Sequence, residues 1–168
     1  MKREERNGWK KLRLGRVESV ADHSYGVAML ALFEGERRRC NMETILKLAL
    51  IHDLEESITG DLTPADKKRR GQYRVRRERE DAIKTLLQRF PIKSRRPFLR
   101  LWRDLRLSRS REAKIVHQLD KIEMALQARE YAKQAGREKI QGFYWSAIRA
   151  TTDGELKREL RSVIGESG

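Results

Sequence analysis

Apolar residues recur at three- and four-residue spacing through almost the whole chain, and no stretch alternates long enough to argue for a sheet. The pattern predicts an all-α protein. A first helix is expected over 19–37, with Ser19 as N-cap and Asp22 at N3 in a capping box. A second is expected over 42–58, capped by Asn41. It closes at Thr59-Gly60-Asp61, where glycine suits a left-handed residue. Residues 62–64 read as loop, and the charged stretch 66–79 as loop passing into helix. Ile83, Leu86, Leu87 and Phe90 mark a helix that stops at Pro91. Phe98, Leu101, Trp102 and Leu105 mark another. A long helix over 112–134 follows. Ile140, Phe143, Tyr144, Ala147 and Ile148 carry the next, and Leu156, Leu160 and Val163 a short last one. No linker or repeat interrupts this order, so residues 1–168 are expected to form a single compact helical bundle.

Ionisable residues on the apolar faces change the picture. With successive residues about 100° apart and His52 at 0°, Ile45, Leu48 and Ala49 fall at roughly 20°, −40° and 60°, Glu56 at about 40° and Asp53 at about 100°. A helix that turns a histidine and two acids toward the core must give them partners. Asp120 repeats the pattern, because Ala113, Val116, Met124 and Tyr131 lie within about 40° of it. So does His23, with Val20, Val27 and Leu30 within about 60°. Three helices thus each project a metal-ligand type of side chain inward. Two imidazoles with two carboxylates suit a divalent Mn, Co, Ni, Zn or Mg ion and leave positions for water and a substrate oxygen. One buried histidine or acid alone is an ordinary satisfied core group. Periodicity by itself leaves that alternative open beside a metal site.

Composition then narrows the classes. Of 168 residues, 38% are charged and 38% hydrophobic, and the net charge is +14. Such a field attracts anions, whether nucleotides or nucleic acid. The single cysteine, Cys40, excludes an intrachain disulfide and suits a reducing, cytoplasmic setting. The first eleven residues are too charged for a signal peptide, and no apolar run approaches the roughly 20 residues of a membrane span.

Three segments carry a resemblance. They are ESVADHSY at 18–25, ALIHDLEESITGDLTP at 49–64 and QLDKIEMALQ at 118–127. The order His23, His52-Asp53, Asp120 resembles the H…HD…D signature of the HD-domain metal-dependent phosphohydrolases. The surrounding residues resemble the bacterial 5′-deoxynucleotidase / HD-domain-containing protein 2 group, over about Arg6 to Ala147. The resemblance implies an HD-type helical fold and His23, His52, Asp53 and Asp120 as metal ligands. It implies Glu56 as the catalytic acid and Asp61 as a pocket acid that serves catalysis and sugar binding. It also implies Arg6 and Trp9 as substrate-binding residues, and a homodimer. The expected reaction is hydrolysis of (deoxy)nucleoside 5′-monophosphates to nucleoside and phosphate.

The chain departs from a typical member in its basic runs, Lys67 to Gly71 and Arg74 to Arg79, which read as solvated surface or, as the alternative, as a surface for a phosphate-rich ligand. His117, at about 60° from Asp120, reads as a core or boundary histidine, with a place behind the metal ligands as the alternative. Trp102, Phe143, Tyr144 and Trp145 read as core or subunit interface, with a nucleotide-pocket lining as the alternative, and Cys40 as inert. Two rival functions remain. One is another HD phosphohydrolase, acting on nucleoside triphosphates or phosphodiesters, although no second histidine pair is present for a two-metal version. The other is a basic nucleic-acid-binding protein, for which no recognised motif is present.

Overall fold

A computed structural model describes residues 1–165, which are helical with no strand among them. A short 3-10 helix, Asn7–Leu12, precedes α1 (Val20–Arg37), α2 (Met42–Ile51), α3 (Glu56–Thr59), α4 (Pro64–Arg70), α5 (Gln72–Leu87), α6 (Ile92–Arg106), α7 (Arg111–Ala135), α8 (Arg137–Ala150) and α9 (Gly154–Ile164). Helix α1 begins at its capping box: Asp22 N–H donates to Ser19 Oγ at 3.2 Å, and Ser19 N–H to Asp22 Oδ2 at 2.9 Å. Asn41 Oδ1 caps α2 by accepting from Thr44 N–H at 2.9 Å. These caps satisfy amides that the helix itself leaves free.

Two expectations fail. The second helix does not run unbroken to Ile58. It ends at Ile51, and hydrogen bonds then skip three residues instead of four: Leu54 N–H to Ile51 O at 3.2 Å and Glu56 N–H to Asp53 O at 3.0 Å. The cause lies at His52, whose Nδ1–H donates to Ala49 O at 2.7 Å and so takes the carbonyl that a continuing helix would give to Asp53. The 100° wheel therefore does not carry over from His52 to Glu56. Nor is 62–64 simply loop, with helix only later. Thr63 and Asp66 form a second capping box, and Pro64 sits inside the first turn, so the charged run is helical from Pro64. Gly60 and Gly71 separate these short helices at φ 73° and 85°, values that residues with a Cβ avoid.

The main core packs α1, α2, α7, α8 and α9 around Val27, Ile45, Leu48, Leu119 and Ile140, with Trp9 and Leu12 of the N-terminal turn included. A smaller one joins Ile51 to Ile83, Leu87 and Trp102 of α5 and α6. His52 and Asp53 follow Ile51 directly, where the backbone leaves α2 between the two cores. The N-terminal turn is clipped to the start of α1 by Arg6 N–H to Glu18 O at 3.1 Å and Val20 N–H to Glu4 O at 2.8 Å. This brings Arg6 to the same region.

Candidate metal centre

The structure brings His23, His52, Asp53 and Asp120 together. His23 Nε2 lies 3.2 Å from Asp120 Oδ1 and 4.0 Å from Asp53 Oδ2, and His52 Nε2 lies 3.2 Å from Asp53 Oδ2. One donor atom each from His23, His52 and Asp120 falls within 4.8 Å of the other two. Both imidazoles are buried, while the carboxylates keep 17% and 16% of their surface, so the acids face the opening. His52 Nε2 is buried with no hydrogen-bond partner. A buried ring nitrogen left free between two carboxylates is what a cation ligand requires.

Each imidazole is turned by its other nitrogen. His52 Nδ1–H goes to Ala49 O, and His23 Nδ1 to Glu123 Oε2, which presents both Nε2 atoms to the centre. The sequence reading missed Glu123. It lies one turn beyond Asp120 on α7 and reaches His23 because residue 26 has no side chain. A Cβ on Gly26 would stand 2.8 Å from Glu123 Oε1 and 2.9 Å from its Cγ. Removing the carboxylate (Glu123→Ala) should lower metal affinity by about 10–100-fold. A chelator-competition titration checks this; unchanged affinity would show that the contact does not orient the ligand.

The charges fit a cation. Burial pulls the His52 pKa down, but Asp53 and Asp120 outweigh it and push it up to about 9. Asp53 and Asp120 are held below the usual carboxylate range: burial opposes this, but His52 at Asp53, and Lys121 and His23 at Asp120, prevail. The Arg6 guanidinium gains basicity because Asp120, Glu18, Asp53 and Asp61 overcome its burial. Its Nη1 lies 3.6 Å from Glu18 and 3.9 Å from Glu123, yet has no hydrogen-bond partner. Arg6 is therefore a buried donor beside the acids, free to take another acceptor.

Glu56 is 3% exposed, and its Oε1 accepts from Arg79 Nη2 at 2.8 Å. Burial with the charges of Asp53 and Asp61 pushes its pKa up to about 9, against the pull of Arg79. Asp61 is pinned to the N-terminal turn, accepting from Asn7 N–H at 2.6 Å on Oδ2. Trp9 is not brought to the opening. It is 1% exposed, packed against Tyr131 and Phe143, and its indole N–H donates to Glu18 Oε1 at 2.7 Å. Its ring anchors the segment that carries Arg6.

Other residues stay apart. His117 Nε2 donates to Leu105 O at 2.7 Å, away from the centre. Trp102 is buried on Glu55 at 3.0 Å, whereas Trp145 is 54% exposed. Cys40 is half-buried, and burial raises its pKa away from thiolate reactivity. The basic run 74–79 is not all solvated surface, because Arg79 is 4% exposed. The signal was present: Val75, Arg79, Ala82 and Ile83 share one face of α5 at helical spacing.

This helical bundle, with its His-Asp pair facing a distant His and Asp, defines a metal-dependent type of site, and the chain belongs to the HD domain family, whose model matches residues 1–161. The chain is 39% identical to the 5′-deoxynucleotidase HDDC2 of Bos taurus over 167 residues, 99% of this chain and 80% of that protein. It is equally 39% identical to the 5′-deoxynucleotidase HDDC2 of Homo sapiens, again over 99% of this chain and 80% of that one. Among solved structures, a conserved hypothetical protein from Pyrococcus furiosus superposes with a TM-score of 0.77 at 30% identity, covering 98% of this chain and 91% of that one.

Proposed function

We propose that this protein is a metal-dependent phosphomonoesterase that converts nucleoside 5′-monophosphates, deoxyribonucleotides among them, to nucleoside and phosphate. One observation carries the reading: the buried, unpartnered Nε2 of His52 meets Asp53, His23 and Asp120 beside Glu56 and the free donor of Arg6. The relatives named 5′-deoxynucleotidase support the substrate class. His23, His52, Asp53 and Asp120 would hold one divalent ion, with Mn, Co, Ni, Zn and Mg all compatible with this donor set. Bound there, such an ion supplies charge stabilisation at the phosphoryl group and acidifies water.

The protein's own groups do the rest. Arg6 binds the substrate phosphate with its free guanidinium N–H and neutralises charge as it develops. Water attacks phosphorus and the bond to the 5′-oxygen breaks. Glu56, whose burial favours the protonated carboxyl, delivers a proton to the leaving 5′-oxygen and regains one from the attacking water. Asp61 faces the sugar and accepts from a hydroxyl. Trp9 and Glu18 hold Arg6 in place.

The test is phosphate release from a panel of ribo- and deoxyribonucleoside 5′-monophosphates, with triphosphates and cyclic nucleotides as competitors for the assignment. Metal-dependent release from the monophosphates is expected. Release from triphosphates or cyclic esters alone would move the protein to the other HD chemistries.

The reading includes a cytoplasmic homodimer. Tyr25 and Phe33 on α1 and Trp145 on α8 are 68%, 65% and 54% exposed, large apolar side chains that a second copy would cover. Among the described residues, no helix is long and apolar enough to cross a membrane. Light scattering should give twice the chain mass of 19.8 kDa; the mass of one chain would refute the dimer.

A further inference from the structure

A cavity of about 390 Å³ lies between α4, α5 and α6, behind Glu56, and Lys67, Arg76, Arg79, Arg103 and Arg106 all line it. Glu80 is the one carboxylate among its lining residues, and it is paired with Arg103. Arg79 spans the wall between cavity and centre. Its Nη2 holds Glu56 at 2.8 Å, its Nη1 lies 3.8 Å from Glu55, and its buried Nε has no hydrogen-bond partner. Arg106 approaches Glu55 only to 3.7 Å. Among the described residues, Lys67 and Arg76 have no carboxylate within salt-bridge distance, whereas every other cation of the cavity does.

We propose that this cavity is a phosphate-binding site distinct from the metal centre, in which Lys67, Arg76 and Arg106 hold a phosphate dianion against the buried Nε–H of Arg79. Guanidinium groups match the planar, two-oxygen edge of a phosphate, and a cavity of one sign of charge with apolar walls concentrates its counter-ion. Burial and the neighbouring Arg79 cation hold the pKa of both Lys67 and Arg106 below their ordinary values, a crowding that an anion relieves. The ligand is either free phosphate or the phosphate end of a nucleotide whose apolar part packs along Trp102. Either one touches the guanidinium that also holds Glu56, so occupancy is felt at the acid assigned to proton transfer. The site itself does not depend on that assignment.

Calorimetric titration of chelator-stripped protein with inorganic phosphate, and separately with AMP, at fixed ionic strength tests the proposal. The Asp53→Ala variant, which removes a metal ligand and a negative charge felt at Lys67 and Arg106, should bind phosphate at least as tightly as the wild type. The double variant Lys67→Ala/Arg76→Ala, at a half-buried and an exposed position, should bind at least about tenfold more weakly. The double variant Lys93→Ala/Arg96→Ala removes the same charge from α6 outside the cavity and should bind normally. AMP binding tighter than phosphate and lost in the Lys67→Ala/Arg76→Ala variant identifies a nucleotide ligand, and a cavity-dependent affinity no higher for AMP than for phosphate identifies free phosphate. No phosphate binding by the wild type, binding unchanged in the cavity variant, or equal loss in both double variants would overturn the site.

Discussion

Replacing Asp53 by alanine should abolish metal binding and phosphate release together, leaving release at the level of buffer. Asp53 Oδ2 is the oxygen that reaches both imidazoles, at 3.2 Å from His52 and 4.0 Å from His23. Without it the centre loses one ligand and the negative charge that most favours a cation beside His52. The remaining histidine pair and Asp120 are a three-ligand remnant of lower affinity. Metal content by elemental analysis, read alongside turnover, checks this. Full metal occupancy in the variant would remove Asp53 from the ligand set, and turnover without metal would remove the metal from the reaction.

The second large effect separates chemistry from metal binding. Glu56→Ala should keep the ion yet lose about 10²–10⁴-fold in kcat, the range for a positioned proton donor. Glu56 is buried on Arg79, and burial favours its protonated carboxyl, the form that can donate to a leaving oxygen. Metal content and kcat measured on the same preparation decide the matter. Retained turnover would remove Glu56 from proton transfer, and lost metal would make it part of the centre instead.

Much of this was legible in the sequence, for identifiable reasons. His23 and Asp120 stand out because their neighbours at helical spacing are apolar, so burial follows from the helix itself. Ser19, Asp22 and Asn41 act within one turn, and local caps depend little on the rest of the fold. The break after Ile51 was not legible, because a wheel assumes uniform hydrogen bonding and cannot know that His52 takes a backbone carbonyl. The start of α4 was passed over, although Thr63 and Asp66 spell a capping box, because the residues after it are charged and show no apolar face. Glu123 looks like a surface residue by type, and so does Arg79, although its apolar neighbours at helical spacing on α5 mark a buried face. Only tertiary packing shows that Gly26 makes room for one and that Glu56 partners the other.

The most direct test is a titration of chelator-stripped protein with Mn²⁺ while phosphate release from a deoxyribonucleoside 5′-monophosphate is followed. The four ligands predict no release before addition and a rise that saturates at one ion per chain. Release that persists in chelator, or that saturates only at two ions per chain, would contradict a single centre built from His23, His52, Asp53 and Asp120.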